Sequence, residues 1–333
     1  MTAATYDVLG IGNAIFDIMA RTDDAFLGAH GMAKGSMSLI DESRAKTIYG
    51  AMGPATKISG GSAANTIVGI ASFGGRTAFV GKVKDDQIGK LYTHDIRAAN
   101  VAFTTPAATD GVATGCSYIL VTPDGERTMN TYLGAAQNLS PADIDDKQIA
   151  SAVVTYLEGY LWDPKDAKEA FVKASKIAHG AGRQVALTLS DAFCIGRYRS
   201  EFIDLIRGGM VDIVFANESE LLSLYESNDF DAALKQLRAD AKLAAVTRSE
   251  KGCVVIDKNT VTAVAASPVA KVVDTTGAGD LFASGFLYGL AINADHKRAG
   301  ELGCLAAAEV IQHIGARPQV SLKELAKQKG LLS

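Results

Sequence analysis

The chain has little cysteine: four residues in 333. Cys116, Cys194, Cys253 and Cys304 lie far apart and lack Cys-x-x-Cys spacing. They read as small buried hydrophobes in a reducing compartment. The five histidines are dispersed, which leaves no zinc-ligand spacing. There is no long basic block, and the formal net charge is -4, so neither nucleic acid nor an anionic membrane is expected as a partner. No apolar run is long enough to span a bilayer. The amino-terminal stretch has no cationic lead and is broken by Asp7 and Asp17, unlike a signal peptide. A cytoplasmic location is expected. Internal repeats, low-complexity tracts and Pro/Gly/Ser-rich linkers are also missing. Hydrophobic residues make up 48% and charged residues 21%, ordinary for a globular chain with a substantial core. The length accommodates one large α/β domain with an appendage, or two domains.

The most informative stretch is Asp274-Thr-Thr-Gly277-Ala278-Gly279-Asp280. It follows the β-branched run Val269–Val273, expected to be a strand, and precedes the apolar segment Leu281–Ile292, expected to be a helix. The amides of Gly277, Ala278 and Gly279 would be free donors at a helix start, where the macrodipole adds positive potential. Glycines on both sides of Ala278 let a phosphate approach the backbone. Asp280 stands one residue beyond, placed to take a proton from an attacking hydroxyl, as phosphoryl transfer to an alcohol requires. The bland alternative is a helix start capped by Thr275 or Thr276, with glycines for turning only.

Tyr6–Ile11 reads as a buried first strand, and it enters Gly10-Ile-Gly12-Asn13-Ala-Ile15-Phe16-Asp17. The Gly-x-Gly suggests a dinucleotide fingerprint, but Ile15 stands at the third glycine position and no acidic residue closes a following strand, which argues against a dehydrogenase. Asn13 and Asp17 are polar residues at the carboxyl end of a strand, where open α/β sheets bind ligands. One carboxylate there can accept from two neighbouring sugar hydroxyls. Equally, Asn13 serves a turn and Asp17 is simply solvated. Gly60-Gly61-Ser-Ala-Ala-Asn65 opens a helix expected to run to about Phe73, again with glycine amides and a polar side chain at a helix start. Gly81-Lys82 is not a Walker A loop, because Arg76 and Val83 replace its glycine and hydroxyl residues.

Within residues 14–40, the stretch Ile18–Ile40 is poor in helix periodicity and rich in Gly and Met. Residues 111–134 alternate around Thr122-Pro-Asp-Gly125, a hairpin turn signal. Together they are expected to form a small β lid on a single domain spanning 1–333, with Arg127 a surface hairpin arginine. Thereafter Val153–Leu157, Gln184–Leu189, Val211–Phe215 and Leu243–Thr247 are strand candidates alternating with helices such as Pro164–His179 and Arg197–Arg207. That rhythm implies βαβ units, a mainly parallel sheet and helices on both faces. Val254–Ile256 and Thr260–Ala265 form an expected hairpin across Asp257–Asn259. Asn217 and Glu220, three apart on one helix face, either hold a hydrated magnesium ion or form an ordinary helix cap. A small-residue helix is expected over Ala306–Gly315.

The 274–280 heptad resembles the signature of the ribokinase-like (PfkB-type) carbohydrate and nucleoside kinases. Gly60–Asn65, Asn217-x-x-Glu220 and Thr247-Arg-Ser249-Glu-Lys-Gly252 resemble further motifs of that family, in family order, although Ser249 replaces a usual glycine. The resemblance implies a ribokinase-like α/β fold and an ATP-dependent phosphotransferase. Asp280 would be its base, and the amides of Gly277, Ala278 and Gly279 its anion hole. It further implies acceptor contacts at Asn13, Asp17, Gly61 and Asn65, and nucleotide contacts at Asn217, Thr247, Ser249, Gly252 and Gln312. Glu220 would act on Mg2+ through water, and a monovalent cation such as K+ is a common family requirement. Two stretches are closer to the adenosine kinases: Gly12-Asn-Ala-Ile-Phe-Asp17-Ile, and Thr188-Leu-Ser-Asp-Ala-Phe193 followed by Val211-Asp-Ile-Val-Phe-Ala-Asn217-Glu. The implied reaction is phosphorylation of the adenosine 5′-hydroxyl. A sugar, another nucleoside, or a non-catalytic nucleoside sensor are the alternatives. Phe16, Tyr160, Leu161 and Trp162 are available to sandwich a purine, or to serve core and hinge.

Overall fold

The strands sort into two sheets by their side-chain pattern. In the computed structural model, which describes residues 4–333, they are β1 (Tyr6–Ile11), β2 (Ile15–Arg21), β3 (Met37–Leu39), β4 (Ala55–Gly60), β5 (Thr77–Val80), β6 (Val101–Phe103) and β7 (Gly115–Val121). They continue with β8 (Arg127–Tyr132), β9 (Ala152–Glu158), β10 (Gln184–Thr188), β11 (Ile213–Asn217), β12 (Leu243–Thr247), β13 (Cys253–Asp257) and β14 (Val261–Val264). The larger sheet has nine strands in the order β14-β13-β12-β11-β10-β9-β1-β5-β6. Every pairing from β12 to β6 is parallel, and β13 alone runs against the others, pairing antiparallel with both β12 and β14.

Its middle strands are apolar on both faces, as parallel strands covered by helices must be. Leu9, Leu157 and Leu187 join one core with Ala167 and Phe171 of the helix Lys165–Gly180. Val8, Tyr156 and Ala186, the alternate positions, join the other core with Ile67, Phe282 and Phe286. Those three come from the helices Ser62–Ser72 and Ala278–Ala291.

The second sheet, β3-β8-β7-β2-β4, takes its strands from both stretches expected to form a lid and from one other. β4 was not expected as a strand, because Ala55-Thr-Lys-Ile-Ser-Gly is half polar. It pairs antiparallel with β2, Asp17 standing opposite Ile58. A short helix, Asp24–Ala29, also lies in the segment read as lacking helical periodicity. The chain leaves β1 for β2 across three residues, 12–14, and returns from β4 straight into the helix Ser62–Ser72.

Several boundaries differ from expectation. Val269–Val273 is not a strand: Val272 and Val273 are 52% and 37% exposed, and Val273 N bonds Ile311 O rather than a strand neighbour. β-branched residues alone do not make a strand without a sheet edge to join. Gly60 closes β4, and the helix begins at Ser62 with Gly61 as its cap at φ 100°. The helix of the heptad starts at Ala278, three residues before the apolar run. The helix read over Ala306–Gly315 is His296–Val310 and ends earlier. Among the described residues no helix is long and apolar enough to cross a membrane, and all four cysteines are buried and free.

Candidate active site

The heptad forms a turn braced from two sides. Asp274 accepts from its own turn through Thr276 N (3.0 Å) and from Gly315 N (2.8 Å), and it forms a buried ion pair with Arg127 of β8. The expectation of a surface arginine at 127 is therefore corrected: its side chain is 8% exposed. The partner carboxylate, 147 residues away, is what makes burial of the guanidinium tolerable. These contacts hold Asp274 below the usual carboxylate range although burial alone would raise it. Gly277 adopts the left-handed conformation, φ 77°, and a Cβ there would fall 2.6 Å from that of Ala316; only glycine fits. No Thr side chain caps the helix. The Ala278 amide donates to Thr275 O (3.2 Å), whereas the amides of Gly277 and Gly279 have no acceptor among the described residues. A Cβ at Gly279 would meet nothing within 4 Å, so open space lies beside that amide.

Asp280, on the first turn of the same helix, accepts from Ser62 Oγ (2.6 Å) and Asn65 Nδ2 (3.0 Å). Burial pushes its carboxyl up to about 6, against the pull of those two donors and of Arg317. Asp17 projects from β2 against Gly60, where a Cβ would run into its carboxylate. It has no hydrogen-bond partner among the described residues. Burial pushes it up to about 7, with Arg317 and Arg127 pulling down and Asp280 pushing up. Gly61 packs on the Asn13 carbonyl, which a Cβ would strike. Asn13 itself donates to buried Glu158 (2.7 Å), which also accepts from Ala63 N (2.8 Å). The Oδ1 atoms of Asn13 and Asn65 are buried without a partner. Tyr160 is held by Ser190: its amide donates to Oγ (3.1 Å) and its hydroxyl to the carbonyl (3.2 Å). Phe16, Leu161 and Trp162 are buried in the cores, so of the four candidate ring or apolar contacts only Tyr160 is open.

Further along the same sheet edge, Asn217 ends β11 directly opposite Thr247 at the end of β12. Asn217 and Glu220 form a reciprocal capping box: Asn217 N and Nδ2 donate to Glu220 (3.0 and 2.6 Å), and Glu220 N donates back (2.8 Å). Burial raises the Glu220 carboxyl to about 7. Ser249 has φ 51°, the left-handed conformation glycine adopts most readily, and Gly252 closes that loop at φ 85°. Gln312 accepts from Ala270 N (3.1 Å) and donates to Ala308 O (2.8 Å), so both ends of its amide are engaged.

The model of the pfkB family carbohydrate kinases matches residues 39–322. This chain belongs to the pfkB family. It is a phosphotransferase with an alcohol group as acceptor, and ATP is the family's phosphoryl donor. Fructokinase-1 of Oryza sativa subsp. japonica is 30% identical over 237 residues, covering 69% of this chain and 73% of its own. Among solved structures, the adenosine kinase from Sinorhizobium meliloti is 56% identical with a TM-score of 0.92, covering 98% of this chain and 100% of its own. A probable sugar kinase protein from Rhizobium etli is 53% identical with a TM-score of 0.93, covering 99% and 100%.

The Gly277 and Gly279 amides, without an acceptor among the described residues, lie at a helix N-terminus with open space beside Gly279; such a terminus suits a phosphate. No trio of His, Cys, Asp or Glu among the described residues is poised to hold a metal ion. Ser62, Glu158 and Arg317 were not singled out from sequence. Ser62 lies inside the Gly60–Asn65 motif, and Glu158 ends an apolar strand, a signal that could have marked it. Arg317 carries no local signal.

Proposed function

We propose that this pfkB kinase phosphorylates the 5′-hydroxyl of adenosine with ATP, giving AMP. The observation that carries the acceptor side is Asp17: a carboxylate on β2, between β4 and β7, with no hydrogen-bond partner among the described residues and within the field of Asp280. A ribose offers two vicinal hydroxyls to such a group. Asp280, fixed by Ser62 and Asn65, takes the 5′-hydroxyl proton, and a base tuned to about 6 is largely ionised at neutral pH. The amides of Gly277 and Gly279 face the transferred phosphoryl group and oppose its developing charge. The Ala278 amide joins them once its bond to Thr275 is given up. Gly61 and the free Oδ1 atoms of Asn13 and Asn65 line the acceptor side. Thr247, Ser249 and Gly252 face the nucleotide; Gln312 serves it by fixing the backbone at Ala270. Magnesium, when bound, supplies charge neutralisation on the phosphates, with Asn217 and Glu220 orienting its water shell. The second sheet covers the acceptor as a lid and keeps water from competing with it.

Adenosine rather than a sugar is supported by the likeness to the S. meliloti adenosine kinase along almost the whole chain. The fructokinase relative and the comparably similar probable sugar kinase from R. etli support a sugar as the second reading. An ATP-consumption screen over nucleosides, ketoses and aldoses separates them. Adenosine is expected to give the highest kcat/KM, with free ribose and fructose barely turned over; a sugar at the top would overturn the adenosine assignment.

A further inference from the structure

One cation near the site belongs to none of the turn motifs. Arg317 follows Gly315 and Ala316, the pair that bonds Asp274 and packs on Gly277. Its guanidinium donates to Ser59 O through Nε (3.1 Å) and Nη2 (2.7 Å), to Ser59 Oγ through Nη2 (3.2 Å), and to Ala64 O through Nη1 (3.2 Å). Ser59 is the penultimate residue of β4, and Ala64 lies in the first turn of the following helix. One side chain therefore staples the strand–helix turn from which Ser62 and Asn65 reach Asp280. One residue on, Gly60 is the surface against which the Asp17 carboxylate rests.

All of these acceptors are neutral, and Arg317 has no ion-pair partner among the described residues. A partly buried cation without a counter-ion is expensive unless nearby anions use its field. The carboxylates whose field reaches it are Asp17, Asp95 and Asp280. Tyr92 and Asp95 grip the same strand end, through Gly60 O (3.3 Å) and Ser59 N (2.7 Å). We propose that Arg317 is a positioning residue for phosphoryl transfer: it fixes the β4–helix turn that holds Asp280 and backs Asp17, and its unpaired charge lies in the field of both carboxylates. The inference rests on the roles proposed above for those two carboxylates.

The charge of Asp280 opposes ionisation of Asp17, and a fixed cation offsets that repulsion. The groups facing Asp17 are Arg317, Arg127 and Asp280; those facing Asp280 are Ser62, Asn65 and Arg317. Glu158, Glu220, Tyr156 and Tyr160 also lie within the field of Asp280. With Asp17 at about 7, its ionisation near neutrality depends on the surrounding cations. Removing one raises a neighbouring acid by about one pH unit or more.

The test is the pH profile of kcat/KM for the preferred acceptor, at saturating ATP, in the full chain carrying Arg317→Gln, Arg317→Met or Arg317→Lys. Glutamine retains a donor for the carbonyls but no charge. Lysine retains the charge but cannot span both carbonyls with a planar fork. For Gln and Met the acid limb should move up by about one unit, making the enzyme about tenfold slower at pH 6 and within about twofold of wild type at pH 9. Lysine should leave the limb in place, with a modest loss at every pH. If Met fails to fold, Gln and Lys suffice. A Gln profile that is unchanged, or that drops in parallel at all pH values, overturns the inference while the wild-type kinase reading stands. A wild-type enzyme that phosphorylates no nucleoside or sugar refutes the underlying reading instead.

Discussion

Replacing Asp280 with asparagine should abolish turnover and, at the same time, stabilise the fold. The carboxyl rises from 3.8 to about 6 because it is buried, so the folded state holds its proton more tightly than the unfolded chain does. Below pH 3.8 both states are protonated and no penalty exists. As pH climbs through 3.8 to about 6, the folded protein loses stability that the unfolded chain does not, and above that range the loss is complete. At ~1.4 kcal/mol per unit the ceiling is about 3 kcal/mol, and about 2 kcal/mol is a fair expectation for a partly exposed group. Asparagine escapes this penalty and keeps the local bonds. Its Oδ1 still accepts from Ser62, and a flip of the Asn65 amide turns the unpartnered Oδ1 of Asn65 toward the new NH2 group. With a melting entropy of ~2.1 cal/mol/K per residue over 333 residues, Tm should rise by about 3 °C at pH 8 and hardly at all at pH 4. Turnover should fall by about 10²–10⁴-fold. Thermal melts of both proteins from pH 4 to 8, paired with initial rates, make the measurement. A variant that melts below wild type by the same margin at every pH refutes the burial argument; near-normal turnover removes Asp280 from the base role.

Two further outcomes can be checked in the same assay. Asp17→Ala should weaken adenosine far more than 2′-deoxyadenosine. The discrimination in kcat/KM should narrow by the ~1–3 kcal/mol of an unpaired buried acceptor, and an unchanged ratio would take Asp17 off the ribose. Glu220→Gln should raise the magnesium concentration that gives half the maximal rate while leaving acceptor KM nearly unchanged; an unaltered titration would leave the pair as a helix cap and nothing more.

What could be read in advance was what the chain encodes locally. β1 and β12 fall on their expected residues, because an uninterrupted apolar run bounded by polar residues is the mark of a buried parallel strand. The 274–280 turn was legible because a left-handed glycine and a free amide are properties of a few adjacent residues. Long-range pairing was not. Arg127 looked like hairpin polarity until Asp274 was brought to it, and Arg317 has no neighbour in sequence to announce its hold on Ser59 and Ala64. β4 alternates too weakly to stand out and is a strand only because β2 offers an edge. Val269–Val273 shows the converse error, strand-forming residues with no edge to pair. The Asn217–Glu220 motif was open to two alternatives in sequence, and the geometry displays the capping box.

The seam at Gly60–Gly61 has a consequence for how such a kinase can change over evolutionary time. Asp17 belongs to β2 of the smaller sheet, whereas Asp280 and the free amides belong to a helix packed on the larger one. Under the proposed assignment, choice of acceptor and transfer of phosphate reside on different pieces of the chain. The two meet where β4 passes into the helix that carries Ser62 and Asn65, and again at the Arg127–Asp274 ion pair. Remodelling the smaller sheet can then exchange one hydroxyl compound for another without disturbing the chemistry, a route by which sugar and nucleoside kinases can share a single phosphate turn. Substitutions at the seam have no such freedom, since they misplace the acceptor and the base together.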